Sequence, residues 1–159
     1  MRLTSLADYA VVMMAAAARR AAGERLTATL LAGETGVPLP TAQKLTGRLA
    51  AAGLLETARG TGGGFRLARR AGEISLADIV EAVEGPILMT VCVDAARHDC
   101  ALESACQVRP HMNLVNGAVR GALQAVSLSQ LAGAPAEAGA RPRRHNDWTP
   151  ALAGERVAR

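Results

Sequence analysis

Apolar positions in the first half of the chain recur at helical spacing, then give way to short apolar runs around a glycine cluster. Leu6, Tyr9, Ala10, Met13, Met14 and Ala17 fall on one helical face. They predict a core-facing helix capped by Thr4 or Ser5 and running to about Ala22, with Gly23 as its stop. The Met13–Met14 pair reads as gap-filling core. Asp8 sits in the first turn, where a helix N-terminus favours a carboxylate. Thr27 caps a short second helix, Ala28–Thr35, and Gly36-Val37-Pro38-Leu39-Pro40 makes a tight turn. A third helix follows over Thr41–Ala52, ended by Gly53. Its apolar side is Leu45, Leu49 and Ala52, and its other side offers Thr41, Gln43, Lys44 and, one turn on, Arg48.

Two short helices around a tight turn form a helix-turn-helix, whose second member can lie in a DNA major groove. Glutamine can bond adenine edges, while lysine and arginine reach guanine or phosphate. For one isolated helix, an ordinary solvated face would explain these side chains better. The next segment shifts that balance. Leu54–Ala58 and Phe65–Ala68 are short apolar segments joined by Arg59-Gly60-Thr61-Gly62-Gly63-Gly64, a two-stranded hairpin with a glycine-rich tip. Directly behind a helix-turn-helix, such a hairpin is a wing. Arg59 at its root and Arg66, Arg69 and Arg70 on its far side can meet phosphates or enter a minor groove. A phosphate-cradling P-loop is a poor reading, because the Lys-Ser/Thr is absent and no helix begins after Gly64.

Ser75, with Asp78 three residues on, approximates a capping box for a helix over Leu76–Glu84 that ends at Gly85-Pro86. Ile87–Val91 is apolar, and Leu102–Val108 reads as a helical turn. A long helix is predicted from His111 to Leu131, with Leu114, Ala118, Gly121, Ala122, Ala125, Leu128 and Leu131 along one side. Small residues there allow close helix approach, which suits a dimer element; a solitary core helix is the plainer alternative. Beyond Gly133 the Ala/Gly/Pro/Arg-rich sequence lacks periodicity and reads as a disordered basic tail. The expected organisation is a winged helix-turn-helix DNA-binding domain over 1–85, a cysteine loop over 86–110, a dimerisation helix over 111–132 and the tail over 133–159. The fold class is mainly α with a small two-stranded β-wing.

Composition sharpens this picture. Only 2% of the 159 residues are aromatic while 50% are hydrophobic, so Ala, Leu and Val must fill the core. No run of eighteen apolar residues occurs, and Met1-Arg2-Leu3-Thr4 does not lead into a signal peptide, so a cytoplasmic protein with no membrane partner is expected. The net charge of +4 divides unevenly: residues 1–70 carry +6, residues 71–112 carry −5 and the remainder +3. A basic front half suits a polyanion, although arginine-rich composition alone argues weakly.

All three cysteines lie within fifteen residues, Cys92, Cys100 and Cys106, spaced C-x7-C-x5-C. An odd count argues against a disulfide scaffold. Thiolates are soft ligands suited to iron–sulfur clusters, zinc or copper. Small buried cysteines, or ordinary reduced thiols, are the plain alternative.

Four motifs then occur in one order: Met1-Arg2-Leu3-Thr4 with Asp8-Tyr9-Ala10-Val11, the wing Arg59–Ala68, the segment Glu73–Gly85, and the cysteine triplet. Over about Met1–Leu131 the chain resembles the IscR/NsrR family of bacterial winged-helix regulators. The Leu6-Ala7-Asp8-Tyr9-Ala10 start is similar to the SUF-type regulators of iron–sulfur assembly. The resemblance implies a homodimer on double-stranded DNA, at a pseudo-palindromic operator, with an iron–sulfur cluster, 2Fe–2S or 4Fe–4S, that alters binding. It makes Cys92, Cys100 and Cys106 the thiolate ligands. It places Thr41, Gln43 and Lys44 where a recognition helix reads bases, and Arg59 where a wing root enters the minor groove. Some members of the family use a histidine three residues after the last cysteine, but that position is Arg109 here, which cannot ligate. Others use an aspartate of the first helix supplied by the other subunit, and Asp8 stands at that place. Asp8 therefore ranks first as fourth ligand and His111 second, with His98 and Glu103 nearby.

The expected function is that of a DNA-binding transcriptional regulator, not an enzyme: a repressor that senses iron–sulfur status and controls cluster-assembly (SUF/ISC) genes. The alternative is a nitric-oxide or redox-sensing repressor of stress genes. A small iron–sulfur or thiol redox enzyme is remote, because no Cys-x-x-Cys pair, cofactor fingerprint or paired catalytic base is present. A cluster-free interaction module built on the helix-turn-helix is a third reading.

Overall fold

The computed structural model of the chain describes residues 3–21, 23–58, 60, 63–90, 93 and 106–133. Helix α1, Ser5–Ala18, starts at Thr4, whose hydroxyl accepts from the Ala7 N–H at 3.3 Å. It buries Ala7, Ala10, Met13, Met14 and Ala17, while Leu6 packs at the edge and Tyr9 remains 37% exposed. Tyr9 is therefore not core, contrary to the helical pattern. The helix also stops short of Ala22. Arg20 donates to Glu34 of the next helix at 2.7 Å and Glu24 accepts from the Ala21 N–H at 3.2 Å, so the chain after Ala18 is held in a turn. The hydrogen bond to Glu34, and then its negative charge, raise the Arg20 pKa.

Helix α2, Ala28–Thr35, has the expected bounds. Thr27 caps it, and Gly36 closes it at φ +75°, a left-handed conformation that costs glycine no Cβ clash. Helix α3 runs Leu39–Ala51, two residues ahead of the predicted start. Pro40 occupies its first positions, where a missing N–H leaves no intrahelical bond unmade, so the turn shrinks to Gly36-Val37-Pro38. Ala42, Leu45 and Leu49 face the core, and Ala52 lies outside the helix and is exposed.

Strands β1, Leu55–Ala58, and β2, Gly64–Leu67, pair antiparallel with Glu56 opposite Arg66 and Thr57 opposite Phe65. Leu26 adds a bridge on the other edge of β2, exchanging two 2.8 Å backbone bonds with Phe65. Helix α4, Leu76–Glu84, carries the complete Ser75–Asp78 capping box. Among the described residues of the predicted Leu102–Val108 turn, Gln107 and Val108 form a turn rather than helix.

The single long helix expected over His111–Leu131 is two helices, α5, Arg109–Gln124, and α6, Leu128–Leu131. Ser127 and Gln130 make a second capping box that restarts the helix. Around it the backbone pairs with the segment before α4: Leu76 N–H donates to Val126 O at 2.8 Å and Leu128 N–H to Ile74 O at 2.7 Å. Leu128 thereby enters the main core beside Met13, Leu45, Leu49, Phe65 and Ile74. Val119 and Leu123 of α5 pack instead on a smaller cluster, Ala77, Val80 and Ile87. Arg120 locks α5 to α4 through a two-point fork on Glu81, at 2.8 and 3.0 Å. The predicted tail lies outside the described residues. No helix among those described is long and apolar enough to cross a membrane.

Candidate nucleic-acid interface and thiol segment

Burying Ala42, Leu45 and Leu49 turns the other side of α3 outward, so its polar residues share one surface. Gln43, Lys44 and Arg48 are exposed there and Thr41 is half-buried. All but Arg48 belong to the N-terminal half of α3, the end by which a recognition helix meets base edges. Arg48 is engaged within the fold: its Nη1 donates to the Val83 carbonyl at 2.6 Å. The sequence offered no sign of that bond, because the two residues stand 35 apart.

The wing stands beside α3 because β1 follows it directly and β2 is anchored to Leu26. Arg66 donates through Nε (2.9 Å) and Nη2 (2.7 Å) to Glu56 across the hairpin. Both side chains are more than half exposed, so solvent screens the pair and it holds weakly. Arg69 lies 3.8 Å from Asp78. Arg59 lies outside the described residues.

Cys106 is a free, part-exposed thiol three residues before α5. His111 is exposed in the first turn of α5, and Asp8 is exposed in the first turn of α1. Among the described residues no three His, Cys, Asp or Glu side chains gather into a metal-binding group. Cys92, Cys100, His98 and Glu103 lie outside those residues. A thiol such as that of Cys106 is the donor type that soft metal centres take.

Two exposed apolar strips lie outside this surface. On α5 Leu114 is 65% and Val115 43% exposed, with Gly117, Ala118, Gly121 and Ala122 also outward. On α1 Tyr9 and Val12 are exposed beside Asp8. Sequence reading placed Leu128 and Leu131 with the α5 strip, but both pack into the core or against it.

Comparison with known proteins agrees with this architecture. A family model named Rrf2, described as an iron-dependent transcriptional regulator, matches residues 3–134. Protein aau3 of Rhizobium meliloti is 40% identical over 126 residues, which cover 79% of this chain and 76% of that protein. The HTH-type transcriptional repressor NsrR of Streptomyces coelicolor is 32% identical over 136 residues, covering 85% and 90% respectively. The solved structure of T. potens IscR has the same fold, with a TM-score of 0.60 at 21% identity over 82% of this chain and 85% of that one. A winged helix-turn-helix with an outward polar face on α3, matched by the family along nearly all its described length, makes the chain a DNA-binding member of the Rrf2 family of transcriptional regulators, of the IscR/NsrR type.

Proposed function

We propose that the protein is a homodimeric repressor whose grip on a pseudo-palindromic operator responds to an iron–sulfur cluster, and that it controls genes of iron–sulfur assembly. The observation that carries the DNA half is the outward N-terminal half of α3, with Thr41, Gln43 and Lys44 opposite a fully buried Ala42–Leu45–Leu49 side. Gln43 and Lys44 supply sequence choice, while Arg59 and Arg66 of the wing add phosphate or minor-groove contacts. Two copies joined along the exposed face of α5 would present two such helices, with half-sites about 34 Å apart.

Cys92, Cys100 and Cys106 would hold the cluster, with Asp8 of the other subunit as fourth ligand and His111 as second choice. The support is the accessible Cys106 thiol at the approach to α5, and the iron dependence in the family's description. Bound there, the cluster supplies a centre that is chemically sensitive to oxidants, and an oxygen ligand would leave one corner labile. The protein's own part is mechanical. The segment that carries the thiols follows Ile87, packed against α4 and α5, and Met89, whose N–H donates to Asn116 Oδ1 of α5 at 2.9 Å. It leads back into α5, so a change in it would bear on how α5 sits against α4 and against its partner.

Anaerobic purification, an absorption spectrum and iron analysis test the reading. Wild type should show visible absorbance and bound iron, Cys92→Ser should lose both, and operator affinity should change with them. Colourless, iron-free protein from oxygen-free preparations would falsify the sensing half. A genomic binding map separates assembly genes from the stress genes of a nitric-oxide or redox sensor.

A further inference from the structure

The outward face of α3 ends in a side chain that the fold has already occupied. Arg48 lies one helical turn beyond Lys44, about 6 Å further along the axis and away from the end that meets base edges. Its guanidinium donates to Val83 O at 2.6 Å. Val83 is in the last turn of α4, where carbonyls lack an intrahelical N–H; the one cap N–H there, from Gly85, goes to Glu81 O. Arg48 also stands in the last turn of α3 itself. One positive group thus sits at the negative ends of two helices, an arrangement favoured by both dipoles. Helix α4 is a firm support for such a tie. Its N-terminus is held by the Ser75–Asp78 box, its outer side by the Glu81–Arg120 fork, and Ala77, Ile79, Val80 and Val83 are buried.

We propose that Arg48 is a positioning residue for DNA reading: it fixes the recognition helix against the end of α4 through the Val83 carbonyl and does not itself serve as a phosphate contact. The proposal rests on α3 being the helix that reads DNA. It makes the angle at which Gln43 and Lys44 approach the bases depend on α4. It also gives Arg48 an effect on sequence preference larger than its effect on overall electrostatic affinity.

Salt dependence separates the two roles. Losing a phosphate contact lowers the slope of log affinity against log salt by about one and weakens all sequences alike. The full-length protein is titrated, over a series of KCl concentrations, with a duplex selected by wild type from a randomised library and with a scrambled duplex. Arg48→Met and Arg48→Gln are compared with Lys44→Met and Gln43→Ala, and amide exchange is followed in the last turns of α3 and α4. Both Arg48 variants should keep the wild-type slope and exchange faster at those turns. Their preference for the selected duplex should fall about fivefold or more, the size of one lost base contact. Should Arg48→Met instead mimic a lost phosphate, with a slope reduced by about one and exchange unchanged, the positioning role is overturned. Unchanged preference and unchanged exchange overturn it equally. Arg48→Gln, which keeps a polar end, carries the test if the methionine variant does not fold. If Gln43→Ala and Lys44→Met leave binding as in wild type, the reading of α3 itself fails and takes this proposal with it, a result distinct from the others.

Discussion

Gly64 is one of the points at which the wing meets the rest of the domain, beside the Leu26–Phe65 bridge. A Cβ built there would stand 2.5 Å from the Leu26 carbonyl oxygen, a backbone atom that cannot swing aside. Gly64→Ala should therefore separate β2 from Leu26 and destabilise the fold by about 1–3 kcal/mol, measured by thermal or urea unfolding, whereas Gly33→Ala, in open space on α2, should not. Glu81 makes a second prediction at this scale. The hydrogen bonds from Arg120 hold its carboxyl below the ordinary value of 4.5, against an opposing effect of burial. A lowered folded pKa means that the fork's contribution is fully present above the unfolded value and is lost as pH falls through the folded one. With both side chains partly exposed, solvent screening keeps that contribution small. Glu81→Gln should remove this acid-dependent part, so that the gap in unfolding free energy between wild type and variant closes as pH falls through the lowered folded pKa of Glu81. The glycine cluster was visible in the sequence as a turn, but the reason for glycine at 64 was not, because the obstructing oxygen belongs to a residue 38 positions earlier. Glu56 opposite Arg66 was within reach of hairpin register; Val83 opposite Arg48 was not.

At the level of elements, caps were the most legible features. Thr27, Gly36, Ser75 and Asp78 marked helix ends correctly because a cap is satisfied by residues at most a few positions away. Where tertiary partners decide an end, periodicity misled. The apolar pattern continues without interruption through Ala125–Leu131, yet the chain turns at 125–127, since Val126 and Leu128 bond the backbone around Ile74–Leu76. A local sign was present, Ser127-x-x-Gln130, the same capping signature used correctly at Ser75. Ser127→Ala should cost about 1 kcal/mol in unfolding free energy. It should also loosen Leu128, read as faster amide exchange at Leu76 and Leu128. Helix α1 shows the same limit, since its end is set by Arg20 reaching Glu34 on another helix.

For the molecule as a whole, the exposed apolar strip on α5 predicts self-association. Leu114→Asp should yield monomers by sedimentation and weaken operator binding by at least tenfold, since a single half-site contributes far less than two joined ones. Its far-UV circular dichroism should stay unchanged, because Leu114 is 65% exposed and supports no core. The helix-turn-helix, the wing, the basic front half and the clustered thiols are all carried by short-range pattern: spacing, caps, turn glycines and charge are properties of neighbours in the chain. The packing of α6 against α1, the anchoring of β2 on Leu26 and the bond from Arg48 to Val83 each join residues far apart in sequence. Such contacts exist only once helices have chosen their neighbours, and the energy that selects them comes from buried area and unpaired backbone groups that no local window contains.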